Sequence, residues 1–425
     1  MSTLLKNAHV IDPSQSIDTL QDVLVNHGKI EAYFHPGEKV VADKIIDIKG
    51  NYVAPGFVDL HVHFREPGQT HKEDIATGSA SAVAGGFTSV LCMPNTYPVN
   101  DTAEVTELML KRAQEVNLCR IYPVGAVTKN LMSQQKTNVF DLRKAGCIAF
   151  SDDGRPVSNT ELLRAALIEI REMDCVMIEH CEELSMSKYV TIHEGEVSKE
   201  MGMRGITPSS ETADVVRLIA LAMETGAKVH LAHLSCEDSV TFLRMFRGKL
   251  PLTAEVTPHH LVLTHEDIRS LGTNGKMYPP LRRKQDCDAL IAALNDGTID
   301  AIATDHAPHS ADEKKLPFDR APNGVIGLET ALPVMLRLVQ EKKMTLSKMI
   351  ETMSTQPAKI VGLPVGLKVG TRADMVVFST EEVRNFAEEK FFSRSSNTPF
   401  THYSGRGKVH MTIVDGQTKF TDGSL

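Results

Sequence analysis

Asp59-Leu60-His61-Val62-His63 closes an apolar run that begins near Gly56. Side chains alternate along a strand, so His61 and His63 point the same way and their imidazoles can close on one ion. Alone such a pair says little, because surface and packing histidines also fall two apart. Four further stretches answer it: Ser151-Asp152-Asp153-Gly154, Ile178-Glu179-His180-Cys181, His230-Leu231-Ala232-His233 and Ala303-Thr304-Asp305-His306. Each also ends a short strand-like segment. A set of His and Asp residues at successive strand ends describes a hydrolytic metal site on a barrel.

Working outward, apolar strands are predicted near residues 56–63, 88–93, 120–124, 147–151, 175–180, 228–233, 252–256 and 299–305. Helix-period segments separate most of them, among them 102–116, 159–173, 210–225 and 285–294. Eight strands with intervening helices predict an α/β fold, a (β/α)₈ TIM-type barrel rather than an open doubly wound sheet. No Gly-x-Gly-x-x-Gly follows the first strand, which also counts against the open sheet. The first 54 residues read differently: short alternating strands, with 22–26 and 29–34 flanking His27-Gly28 as a hairpin. The end of the chain resembles them, at 373–378 and 409–414. The expected organisation is therefore a barrel over 55–364 and a small β-sandwich domain built from both termini, 1–54 and 365–425.

Barrel sites lie at the C-terminal ends of the strands, so His61, His63, Asp153, His180, His233 and Asp305 can converge. Four imidazoles and two carboxylates suit a borderline divalent metal, zinc above all. Six protein ligands exceed what one tetrahedral zinc requires, so two ions per subunit sharing a carboxylate are expected. A water held between two cations loses its proton readily and becomes a nucleophile, and Asp305 can ferry a proton to a leaving nitrogen as general acid/base.

Composition narrows the function classes. At 425 residues, 42% hydrophobic and 24% charged, the chain is an ordinary globular protein with room for a large core. A formal charge of −8 leaves no basic footprint for nucleic acid. Seven cysteines, odd in number and never in a Cys-x-x-Cys pair, read as reduced thiols. The start, Met1-Ser-Thr-Leu-Leu-Lys, lacks the basic and apolar pattern of a signal peptide, and no apolar run reaches membrane-spanning length. A cytoplasmic location is expected, with no membrane contact.

The motifs now carry a resemblance. Asp59-Leu-His-Val-His-Phe-Arg-Glu-Pro-Gly68, Met93-Pro-Asn-Thr96, Phe150-Ser-Asp-Asp-Gly154, His180-Cys-Glu182 and Thr257-Pro-His-His260 are joined by Pro279-Pro-Leu-Arg282, Thr304-Asp-His-Ala-Pro-His309 and Gly327-Leu-Glu-Thr330. Over nearly its whole length the chain resembles the type I dihydroorotases of the amidohydrolase superfamily. The resemblance implies zinc and the reversible cyclisation of N-carbamoyl-L-aspartate to L-dihydroorotate in de novo UMP synthesis. It places His61 and His63 on a first metal, His180 and His233 on a second, and Asp153 between them. Many superfamily relatives bridge with a carboxylated lysine; Ser151-Asp152-Asp153-Gly154 contains none. Arg65, Asn95 and His309 match substrate-binding positions, and a guanidinium suits a dianionic substrate. Two positions depart from the pattern. Tyr278 stands where the family usually has a substrate-contacting Asn, and Asn323 precedes Gly324 where an aromatic is common. A homodimer is expected, with aspartate carbamoyltransferase as a candidate partner. The rival readings are another cyclic amidase, hydantoinase- or allantoinase-like, and a catalytically dead partner of the transferase. A dead scaffold should lose ligands, and all six stand here.

Overall fold

The computed structural model describes residues 2–187 and 191–425. Eight parallel strands run in chain order around one sheet: Phe57–Val62, Phe87–Cys92, Arg120–Gly125, Ala149–Phe150, Val176–His180, Lys228–Ala232, Leu252–Val256 and Ala301–Ile302. Just past the eighth strand His306 bridges in parallel to Val62, and the His63 amide donates to the His306 carbonyl at 2.9 Å. That bridge closes the barrel and removes its edges. The helices between strands include Ala103–Val116, Thr160–Glu172, Pro208–Thr225 and Lys284–Asp296. Sequence chemistry sets their ends: the Asn159 side chain caps the Leu162 amide, and Gly226, left-handed at φ 67°, terminates Pro208–Thr225.

Two apolar layers hold the barrel. One lies between strands and helices and contains Phe57, Val62, Phe87, Phe150, Leu163 and Leu167. The other fills the barrel with Val58, Leu60, Leu91, Val124, Ile178 and Ala301. The first strand changes faces along its length. Val58 and Leu60 belong to the inner layer, yet Val62 belongs to the outer one. The pairing with Phe87–Cys92 slips between Asp59 and Val62, and such a bulge re-aims the side chains beyond it. Without it, strict alternation from Leu60 would send His61 and His63 out toward the helices.

The termini form a second sheet. Its strands lie in the order Gln417–Thr421, Ser404–Val414, Met375–Asn385, Tyr52–Pro55, Ser2–Asp12, Ile17–Asn26 and Lys29–Phe34, with Lys44–Asp47 beside Ser2–Asp12. Hydrogen bonding runs through all of them, so the two β-rich termini build one sheet rather than two. Leu5, Val23, Ile46, Val377, Met411 and Ile413 share its core. Its distant ends also meet: Ala373 donates to the Gly28 carbonyl at 2.9 Å, and Gly416 to the Ala373 carbonyl at 3.0 Å. Between Met375–Asn385 and Ser404–Val414 the chain leaves this sheet. Ser393 and Arg394 bond to Glu73, and Asn397 bonds to His309, all on the barrel. All seven cysteines are free and buried. No described helix is long and apolar enough to cross a membrane.

Candidate active site

At the C-terminal mouth of the barrel lies a cavity of about 270 Å³ lined by His63, Arg65, Asn95, Asp153, His180, His233, Tyr278, Asp305, His309, Asn323 and Gly324. His61 sits beneath it, fully buried. Every residue singled out from the sequence therefore falls at one place. Arg65, His233 and Asp305 hold left-handed backbone, φ 58°, 33° and 47°, an unfavourable conformation for side-chain-bearing residues that clusters at functional sites.

Asp153 is the hub. Its Oδ1 lies 3.1 Å from His61 Nε2, 3.7 Å from His233 Nε2 and 3.8 Å from His180 Nδ1, and its Oδ2 lies 3.5 Å from His63 Nε2. Asp305 Oδ1 is 3.1 Å from His63 Nε2 and 3.9 Å from His61 Nε2. Ligand atoms of His61, Asp153 and His233 form one group that could hold a metal ion; those of His61, His63 and Asp305 form another. His61 is common to both.

Outer partners fix which imidazole nitrogen carries the proton. His61 Nδ1 faces Glu255 Oε1 at 3.0 Å, and His63 Nδ1 faces Asn95 Oδ1 at 2.9 Å. Both acceptors assign the proton to Nδ1, leaving each Nε2 lone pair aimed at a carboxylate oxygen. The buried His61 Nε2 has no hydrogen-bond partner, and His180 Nδ1 meets His233 Nε2 at 3.1 Å. Lone pairs facing carboxylates repel unless a cation lies between them, so the residues fit a metal. The local field shows the same demand for positive charge, met by a second proton on His61 where a cation would otherwise sit. Burial alone would depress the His61 imidazole, but Asp153, Glu255 and Asp305 hold its pKa well above normal. Burial would raise the Asp153 carboxyl, yet the His61 charge and bonds to His233 and His61 hold it well below the usual range. Asp305 is likewise held low against burial by His63 and His61. This is a pocket that draws positive charge.

The substrate-side residues are also anchored. Arg65 Nε donates to the Pro308 carbonyl at 3.3 Å; burial lowers its pKa to about 10, so it stays charged. His309 Nε2 lies 2.8 Å from the Asn323 carbonyl, and burial beside Arg65 and Lys72 pushes its pKa down to about 2, leaving it neutral. Asn95 also donates to Asp153 Oδ2 at 3.3 Å. The Tyr278 ring stacks on His180, centroids 5.0 Å apart, and its hydroxyl donates to Glu182 Oε1. The 310–322 segment, whose charge and position suggest a lid, is tied down. The Lys276 ammonium donates to the Ala321 carbonyl at 2.6 Å, and that of Lys314 to the Pro322 and Gly324 carbonyls at 3.1 and 3.0 Å.

Two carboxylates in the site carry roles that sequence reasoning did not assign. Glu182 was visible only as a motif letter, yet its Oε2 lies 3.5 Å from His180 Nε2. Glu255 bonds both His61 and His230 from inside the barrel. A lone carboxylate inside the apolar run Leu252–Val256 is the signal that could have found it.

Fold and site together define a barrel hydrolase with a candidate metal centre at its mouth. Residues 50–239 match the family described as dihydro-orotase-like. A dihydroorotase of Syntrophus aciditrophicus is 43% identical over 99% of this chain and 100% of its own length. One of Geotalea daltonii is also 43% identical, over 98% and 99%. Among solved structures, L-hydantoinase from Arthrobacter aurescens superposes with a TM-score of 0.88, covering 100% of this chain and 97% of that one at 24% identity, a likeness of fold. The chain belongs to the dihydroorotase family and is an enzyme, a cyclic amide hydrolase.

Proposed function

We propose that the chain catalyses the reversible cyclisation of N-carbamoyl-L-aspartate to L-dihydroorotate. We also propose that two divalent ions, zinc by donor set, are held by His61, His63, Asp153, His180, His233 and Asp305. The observation that carries this reading is the convergence of His63, Asp153, His180, His233 and Asp305 with Arg65 around one cavity, with buried His61 against Asp153 beneath it. When bound, the ions supply Lewis acidity for water activation and carbonyl polarisation. The chain's own residues do the rest. Arg65, charged and lining the cavity, binds a substrate carboxylate. Asp305, held as a carboxylate, takes a proton from the attacking water at its carboxylate oxygen and passes it to the departing ring nitrogen. In the closing direction the same proton travels back. Asn95 keeps the His63 imidazole oriented through its 2.9 Å contact. Neutral His309 and the Asn323–Gly324 backbone present uncharged groups to the substrate ring.

The test is hydrolysis of dihydroorotate by zinc-loaded protein, alongside hydantoin and allantoin. Turnover of dihydroorotate far above the other two is expected, with ring closure gaining as pH falls because closure consumes a proton. Turnover of hydantoin in preference to dihydroorotate assigns a different cyclic amide, and no turnover at full metal occupancy assigns a non-catalytic role.

A further inference from the structure

Asn397 lies in the stretch of the C-terminal part that leaves the terminal sheet and crosses to the barrel. Its side chain is buried, and its amide meets three backbone groups. Oδ1 accepts from the His309 amide at 3.0 Å. Nδ2 donates to the Ala307 carbonyl at 3.2 Å and to the Gly324 carbonyl at 3.1 Å. Its own carbonyl accepts from the Ile326 amide at 2.9 Å. One residue thus spans both segments that form the substrate side of the cavity, 307–309 and 324–326. Among the described residues the two sides are otherwise joined by the His306–Val325 bridge, with the Ala307 amide on the Val325 carbonyl at 2.8 Å, and by the His309 Nε2 contact with the Asn323 carbonyl at 2.8 Å.

The fit between these segments is close. Gly324 has φ 122°, and a Cβ there would lie 2.6 Å from the Ala307 side chain and 3.3 Å from His309 Nε2. Backbone at such a distance needs a fixed tie, because a small shift of either segment moves His309 and Gly324 against each other. An amide serves better than any other short side chain, since it accepts once and donates twice at fixed angles.

We infer that Asn397 is a positioning residue for substrate binding: it sets the spacing between His309 and the Asn323–Gly324 turn from outside the cavity. The inference rests on the proposed function, because it takes that wall as the one that meets dihydroorotate. It joins the terminal part of the chain to the chemistry of the barrel. It also gives a physical reason for the excursion of residues 386–403 away from their sheet.

The experiment compares full-length, zinc-loaded Asn397→Ala, Asn397→Asp and Ser395→Ala with wild type in dihydroorotate hydrolysis. Metal content and thermal midpoint are recorded for each. Asn397→Ala should raise KM roughly tenfold, the worth of one or two lost hydrogen bonds, with kcat and metal content nearly unchanged. Asn397→Asp is the same size but cannot donate, so two carbonyls face a carboxylate and KM should rise at least as far. Ser395 donates to the Lys72 carbonyl at 2.7 Å, in the same segment but away from the 307–326 contact. Ser395→Ala should lower the midpoint and leave KM alone. If Asn397→Ala is too unstable to purify, Asn397→Ser gives the same readout, since it cannot reach all three groups. A wild-type KM in the Asn397 variants, or an equal rise in Ser395→Ala, overturns the assignment. Failure of wild type itself to turn over dihydroorotate overturns the reading of the site instead.

Discussion

Asp305 is bound to its neighbours more tightly than a free proton carrier would be, and that sharpens what its replacement should do. Its carboxylate is held low by His63 and His61, so it starts each hydrolytic cycle ionised and ready to accept. Asp305→Asn keeps the size and loses the carboxylate that accepts a proton and hands it on. With metal content matched, kcat should fall by about 10²–10⁴-fold while KM changes little. Steady-state kinetics on metal-replete protein decide this, and near wild-type turnover removes Asp305 from the role. Tyr278 needs a different argument. Its hydroxyl has the chemistry to stand in for the family's amide contact with substrate. The structure directs that hydroxyl to Glu182, which in turn lies against His180. Tyr278→Phe should therefore leave KM for dihydroorotate unchanged and speed metal loss to a chelator, because His180 loses part of its support. A tenfold rise in KM at full metal occupancy means that the hydroxyl touches the substrate after all.

At the scale of elements, all eight barrel strands and the main helices were readable from periodicity and turn residues, to within a few positions. The candidate ligands were readable too, because strand ends are where a barrel gathers its chemistry. What alternation could not supply was the bulge after Asp59 that turns His61 and His63 inward. Nor could it supply partners distant in sequence. Glu255 meets His61 across 194 residues, and Asn397 meets His309 across 88. Local propensity carries no information about such pairs; closure of the barrel and return of the C-terminal part create them. Glu255 ties the strands Phe57–Val62, Lys228–Ala232 and Leu252–Val256 together through His61 and His230. Burial would raise its carboxyl, but bonds to His230 and His61 bring it down to about 2. Glu255→Gln should weaken metal binding by about 10–100-fold, since the His61 ring loses its charged anchor. Chelator competition measures it, and an unchanged affinity makes Glu255 a core residue only.

For the whole molecule, the response to acid is divided between buried histidines and buried carboxylates. His193 is buried beside Arg282, whose Nη1 approaches its Nδ1 at 3.3 Å, with the His265 ring 5.1 Å away. Burial first, then the Arg282 charge, lowers its pKa from 6.5 to about 4. His259, buried near His233, is lowered to about 4 as well, and His309 to about 2. Each must be neutral in the fold. Between about pH 6.5 and pH 4 the unfolded chain binds these protons and the native one does not, so the contribution of these histidines to stability falls as pH falls through that window. Carboxylates held low in the fold add their own loss only nearer pH 4 and below. Buried carboxylates act the other way: burial raises Asp59 to about 7 and Asp152 to about 6, so the fold takes up their protons first and offsets part of the histidine loss. His193 offers the cleanest test, because it lies outside the cavity. His193→Gln keeps an acceptor for Arg282 and removes the titration, so its midpoint should fall less than that of wild type between pH 6.5 and 4.5. Parallel curves for the two proteins would mean that another group carries the acid response.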